Sequence, residues 1–112
     1  MPITNDQLKD HPFLKEMYED EYFPTFLVDK GKAILVRLCE AIEARKPADN
    51  DSLLQLTHAA TDEFNALDDE FCENDSEIET VAREVIAGDF EFIVKAYGFD
   101  IDIEDVIGTR DW

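Results

Sequence analysis

The side chains able to do chemistry are two histidines, two cysteines and 28 carboxylates, set against only 10 Lys and Arg. His58 and Asp62 stand four apart, a spacing that on a helix lets an imidazole and a carboxylate share a proton or a metal ion. No second nitrogen ligand follows at ligand spacing, so a boundary histidine bonded to its own helix or a neighbour is the plainer reading. An enzyme or small-ligand site would need His58 to meet a carboxylate such as Glu79 or Glu84 from the next helix. His11 precedes Pro12 in a polar opening. Asp100, Asp102 and Glu104 alternate as at the start of a calcium loop, but Asp105 occupies the position where such loops need glycine. Helix capping is the expected use of that run, and no metal ligand set or cofactor is assigned.

The remaining reactive groups offer less. Cys39 falls on an apolar stripe, as a small core hydrophobe would. Cys72 has acidic neighbours that raise a thiol pKa, so no reactive thiolate is expected. Glu79 with Arg83, and Glu91 with Lys95, are spaced as helical ion pairs. Neither a phosphate-binding glycine loop nor a nucleophile elbow is present. The pattern therefore assigns no catalytic residue, which weighs against an enzyme. Tyr18, Tyr22, Phe23 and Phe26 form a dense aromatic cluster, suited to capping the end of a bundle or to lining a pocket or dimer surface.

Those residues are carried on a chain that reads helical nearly throughout, with four Gly, four Pro and no strand-length alternation. A short turn is predicted at Asn5–Lys9 within the opening 1–12. A short amphipathic helix follows over 13–20, turning Phe13 and Met17 inward with Leu14 and Tyr18 beside them. A helix from about Val28 to Arg45 ends before Pro47 and carries Ile34, Leu35, Leu38, Cys39 and Ile42 as one stripe. Asp51 or Ser52 is the expected N-cap of a third helix, about Leu53 to Glu73. Its apolar seam is Leu53, Ala60, Phe64, Leu67 and Phe71, and Asp62, Glu63, Asp69, Glu70 and Glu73 form an acidic stripe on the other side. Ser76 with Glu79 fits a capping box that opens a fourth helix. Ile78, Val81, Ala82, Val85 and Ile86 make its buried stripe, with a bend or break at Gly88–Asp89. Phe90, Ile93, Val94 and Tyr97 continue the pattern to a C-cap at Gly98, and Asp102 caps a last turn over 103–107. The sum is an all-α fold: one compact bundle of four to five helices with short connections, a single domain over 1–112.

Charge narrows the classes of partner. The net charge is −18, and residues 48–112 hold 19 acidic against 3 basic side chains while residues 1–47 hold 9 against 7. Direct contact with nucleic acid or with anionic membranes is disfavoured, because both need Lys and Arg. No apolar run approaches a membrane span of about 20 residues, and the opening lacks the pattern of a signal peptide.

Tyr22-Phe23-Pro24, Leu27-Val28-Asp29-Lys30, Leu56-Thr57-His58, Phe64-Asn65, Ser76-Glu77-Ile78-Glu79-Thr80, Tyr97-Gly98-Phe99 and Arg110-Asp111-Trp112 occur here in that order. Together they resemble a family of small, acidic bacterial proteins, a domain of unknown function. The resemblance spans about 16–112 and implies a bacterial, cytoplasmic, stand-alone domain with no activity to carry over. Within the matching regions, His58, Asn65, Glu79 and Arg83, with Asp29 and Lys30, are polar groups able to converge across helices as a site or as a structural network.

Two functions follow as expectations. One is a non-catalytic interaction module whose acidic face, Asp62, Glu63, Asp69, Glu70 and Glu73, docks a basic protein; an immunity-type inhibitor or DNA mimic is its sharper form. The other is a small-ligand binder or enzyme built around His58.

Overall fold

A computed structural model describes residues 3–112, so Met1 and Pro2 of the opening segment lie outside the described residues. Five helices follow one another: α1 (Lys15–Tyr18), α2 (Thr25–Arg45), α3 (Asn50–Glu73), α4 (Thr80–Ala96) and α5 (Ile103–Val106), and the described residues contain no strand. The all-α bundle expected from the pattern is the fold observed.

The long hairpin α2–α3 is the frame. Lys30 pairs with Glu70 and Arg37 with Glu63, so the two helices run antiparallel in a fixed register. Their facing stripes hold the expected residues: Ile34, Leu35, Leu38, Cys39 and Ile42 from α2, and Leu53, Ala60, Phe64, Leu67 and Phe71 from α3, are all buried. Gly31 sits where this hairpin meets α1. A Cβ there would lie 2.9 Å from Leu14 Cδ1 and 3.2 Å from Phe64 Cε1, so the close approach requires glycine. Helix α4 packs on α1, α2 and α5, and the Phe64–Phe90 ring contact ties it to α3.

Several boundaries differ from the sequence reading, each for a local reason. Helix α2 starts at Thr25 because the Pro24 carbonyl already accepts the Leu27 and Val28 amides. The α3 cap is Asp49, which accepts the Ser52 amide at 2.8 Å, rather than Asp51 or Ser52. Ser76 does not cap α4. Asp75 turns left-handed at φ 60°, and the Ser76 amide reaches back to the Phe71 carbonyl, so Ser76 closes α3 in a Schellman arrangement. Helix α4 therefore opens only at Thr80, with Glu79 as an N-cap whose side chain makes no cap bond. Val81, expected inward, is 45% exposed in that first turn, while Ala82, Ile86, Phe90, Ile93 and Val94 form the buried stripe. No break occurs at Gly88–Asp89. The helix runs through both, and Asp89 spends its carboxylate on the segment before α1. Gly98 does end α4, at φ 86°, with Gly98 and Phe99 amides returning to Lys95 and Val94.

Candidate functional site

Helix α3 sorts its polar residues into three rows. Asp62, Asp69 and Glu73, seven and four apart, fall within about 40° of one another and opposite the apolar seam. Glu63 and Glu70 lie roughly 80–100° round the helix, toward α2, where Arg37 and Lys30 neutralise them. The expected single acidic stripe is thus two rows. The inner row is paired with α2, and the outer one carries no cationic partner among the described residues. An open groove of about 280 Å³ between Lys30, Arg37, Glu63 and Glu70 marks the paired seam.

The third row, on the other flank, holds α5 and the chain that follows it. His58 Nε2 is 2.7 Å from the Asp105 carbonyl. Asn65 donates Nδ2–H to the Thr109 carbonyl at 3.0 Å and accepts the Asp111 amide at 2.8 Å. Trp112 is buried against Phe64, with the Arg110 guanidinium 5.7 Å from its ring centroid. Arg83 meets the same segment from α4, lining a hollow of about 220 Å³ with Glu84, Ile103, Ile107 and Arg110.

Of the four polar residues expected to converge, His58 and Asn65 therefore act together as a clamp, and Arg83 lines the hollow beside the clamped segment. Glu79 takes no part. It sits at the start of α4 with extended backbone, and no Glu79–Arg83 ion pair forms among the described residues, whereas Glu91–Lys95 does at 2.7 Å. The helical spacing rule fails for Glu79 because the residue is outside the helix. His58 makes no bond to Asp62 and lines neither of these two hollows. Asp102 caps α5 through the Glu104 amide, and Glu104 reaches Arg110 at 3.5 Å. Burial, with Glu43 nearby, pushes the Cys39 thiol up to about 12. Cys72 is exposed, and desolvation with Asp68, Glu77 and Asp69 raises its pKa too, so neither thiol is activated.

The better-built histidine is the other one. His11 Nε2 lies 2.8 Å from Asp89 Oδ1, while Asp89 Oδ2 accepts the Leu14 amide at 2.8 Å. The ring stacks on Phe92 at 4.4 Å between centroids and meets Phe13 edge-on at 4.8 Å. Burial raises Asp89 above its ordinary value, against the pull of its bonds to His11 and Leu14. This pair also holds Leu14 in a left-handed conformation at φ 59°, which a leucine adopts only when its surroundings compel it. Sequence reasoning passed over the pair because its members are 78 positions apart. One local signal existed: Asp89 falls three after Ile86 and four before Ile93, a carboxylate set on an apolar stripe.

A second carboxylate secures the opening segment. Glu43 accepts the Thr4 amide and hydroxyl, the Asn5 amide and the Tyr97 hydroxyl. Desolvation opposes its ionisation, but the bonds from Tyr97, Thr4 and Asn5 prevail and bring its pKa down to about 2.

The model of a family of unknown function, DUF5713, matches residues 7–112. The chain belongs to the DUF5713 family. No curated protein and no solved structure matches it. In this DUF5713 chain the strings that carried the resemblance are largely fasteners. His58, Asn65, Phe64 and Trp112 form the clamp, Asp29 accepts the Tyr18 hydroxyl, Lys30 pairs with Glu70, and Tyr97-Gly98-Phe99 closes α4. The aromatic cluster divides likewise. Phe23 is buried edge-on to Phe71, while Tyr18, Tyr22 and Phe26 are 37%, 42% and 55% exposed. No helix among the described residues is long and apolar enough to cross a membrane.

Proposed function

We propose that this DUF5713 protein is a non-catalytic interaction module that docks a basic protein on the outer row of α3. The observation that supports it is the sorting of α3 carboxylates. Glu63 and Glu70 are satisfied by α2, whereas Asp62, Asp69 and Glu73 project opposite the core with no cationic partner among the described residues. A row of unneutralised charge on a rigid helix speeds association with an oppositely charged surface and selects against acidic ones. In its sharper form the partner is a nuclease whose cationic cleft the acidic face fills, as an immunity-type inhibitor or DNA mimic would.

The test compares two variants of equal net charge. D62N/D69N/E73Q neutralises the outer row, and E16Q/E19Q/E21Q removes the same charge from the exposed segment around α1. Immobilised chains are challenged with cell lysate at low and high salt. The expected result is a basic protein held by wild type and by the α1 variant at low salt, released at high salt, and not held by the α3 variant. Equal retention by both variants removes the basis for the reading.

A further inference from the structure

The outer row of α3 ends at Glu73, and the two most exposed aromatic side chains, Tyr22 and Phe26, stand beside that end. Phe23 meets Phe71 edge-on at 6.2 Å between centroids, which seats the connection before α2 against the last turn of α3. Tyr22 therefore reaches the chain that leaves α3. Desolvation, and after it Glu77, Glu79 and Cys72, raise its hydroxyl pKa above the ordinary value. Phe26 lies in the first turn of α2. The pairs Arg37–Glu63 and Lys30–Glu70 fix the register of the hairpin, and four residues beyond Lys30 that register puts Phe26 level with Asn74, next to Glu73.

Exposed rings beside carboxylates attract a cation, and the chain supplies none here. Neither 16–29 nor 72–82 contains a Lys or Arg, while Glu73, Asp75, Glu77 and Glu79 all fall in the second stretch. Of the cations at the borders, Lys30 is bonded to Glu70, Arg83 lines the hollow against α5, and Lys15 begins α1. The cation–ring contact found among the described residues is elsewhere, between Arg110 and Trp112. A buried polar atom adds a second signal. Ser76 is 5% exposed, its hydroxyl has no hydrogen-bond partner among the described residues, and it lies beside the Tyr22 hydroxyl. A guanidinium meets these features together, because its flat face stacks on aromatic rings while its five N–H donors reach several oxygens. An ammonium is a compact, strongly hydrated point charge and answers the carboxylates alone.

We propose that Tyr22 and Phe26, with Glu73, Glu77 and Glu79, anchor an arginine side chain of the basic protein that docks on α3. The anchor rests on the reading of the outer row as a docking face, and it specifies what the partner presents at the end of that row.

The probes are a capped peptide of four Gly-Arg repeats and its Gly-Lys counterpart, each titrated by calorimetry into the full chain at low salt. Wild type should bind the arginine peptide roughly threefold to tenfold more tightly than the lysine peptide. Y22L/F26L keeps apolar volume at both exposed positions and removes both ring faces, so it should lose that preference and leave the lysine affinity unaltered. Y22F/F26Y, which restores the rings, should keep the preference. D62N/D69N neutralises the outer row away from the rings and should weaken both peptides alike. Equal affinity of the two peptides for wild type overturns the anchor, as does an arginine preference that survives in Y22L/F26L, or the binding of neither peptide. Affinities untouched by D62N/D69N, with the ring-dependent arginine preference intact, remove the outer row as a docking face and leave the anchor in place.

Discussion

Removing the Glu43 carboxylate should detach the opening segment from the bundle. Four donors converge on it: the Thr4 amide at 2.9 Å, the Thr4 hydroxyl at 2.7 Å, the Asn5 amide at 3.1 Å and the Tyr97 hydroxyl at 2.5 Å. A buried hydrogen bond to a charged group contributes about 1.5–3 kcal/mol, but this carboxylate is only half-buried. Allowing roughly 0.5–1 kcal/mol for each gives about 2–4 kcal/mol for the set. The lower end is the better figure for Glu43→Ala, because the Tyr97 hydroxyl retains the Cys39 carbonyl at 3.4 Å and the Thr4 groups can turn to water. A loss of about 2 kcal/mol would lower the Tm by roughly 8–16 °C in a domain of this size.

The pH dependence gives this prediction its sign. The Glu43 pKa is about 2 in the folded chain against an ordinary 4.5, so the carboxylate's contribution is present above 4.5 and is lost as pH falls toward 2. The gap between wild type and Glu43→Ala should therefore be full at pH 7 and narrow steadily below about pH 4.5. Trp112, the single tryptophan and a buried one, reports urea unfolding by fluorescence without a label. Tyr97→Phe removes one of the four donors and should cost only about 0.5–1 kcal/mol at pH 7. A Glu43→Ala effect below about 0.5 kcal/mol at pH 7 would mean that the four bonds merely replace bonds to water. A gap that stays constant on acidification would show that the side chain acts by packing and not by charge.

The two helical glycines should respond oppositely to alanine, as urea unfolding will show. Gly88→Ala gains helix propensity, about 0.5–1 kcal/mol, because nothing lies within 4 Å of its new methyl group, whereas Gly31→Ala loses about 1–2 kcal/mol through its collision with Leu14 and Phe64. Asn65→Ala should cost about 1–2 kcal/mol and shift Trp112 emission to the red, because both bonds to the Thr109–Asp111 stretch disappear; unchanged emission would mean that the Phe64 contact alone seats the indole. Added salt at pH 7 should raise the Tm, since screening weakens repulsion among 28 carboxylates facing 10 cations, and a Tm indifferent to salt would show the charge to be neutralised locally.

What was legible in the sequence was whatever repeats at helical spacing. The stripes of α2 and α3 could be listed residue by residue because apolar side chains three and four apart must share a face. Helix ends were less legible, since the same residues serve either of two neighbours. Ser76 followed by Glu79 is a sound capping signature, yet Asp75 can turn left-handed and give the Ser76 amide to the helix before it. Asp49, Asp51 and Ser52 all carry a capping oxygen, and the choice among them depends on how far α3 can extend before it meets α2.

The site was less legible than the fold because its parts are brought together by tertiary contacts alone. His58 drew attention by its spacing to Asp62, but the Asp105 carbonyl, 47 positions later, claims its ring and makes it a fastener. His11 drew little, and its partner is a carboxylate whose helix was expected to break at that point. The contact to Asp105 agrees with the plainer reading of His58 as a boundary histidine bonded to a neighbour, whereas His11 was passed over because its neighbours in the chain say nothing of the long-range group that occupies its ring nitrogen. His58 spends Nε2 on a backbone carbonyl, whereas His11 spends Nε2 on the Asp89 carboxylate and lies in the wall of a hollow of about 590 Å³. The same distinction separates the two acidic rows of α3. Glu63 and Glu70 differ from Asp62, Asp69 and Glu73 only by the side of the helix they occupy. That difference decides which carboxylates hold the hairpin together and which project without a cation beside them among the described residues.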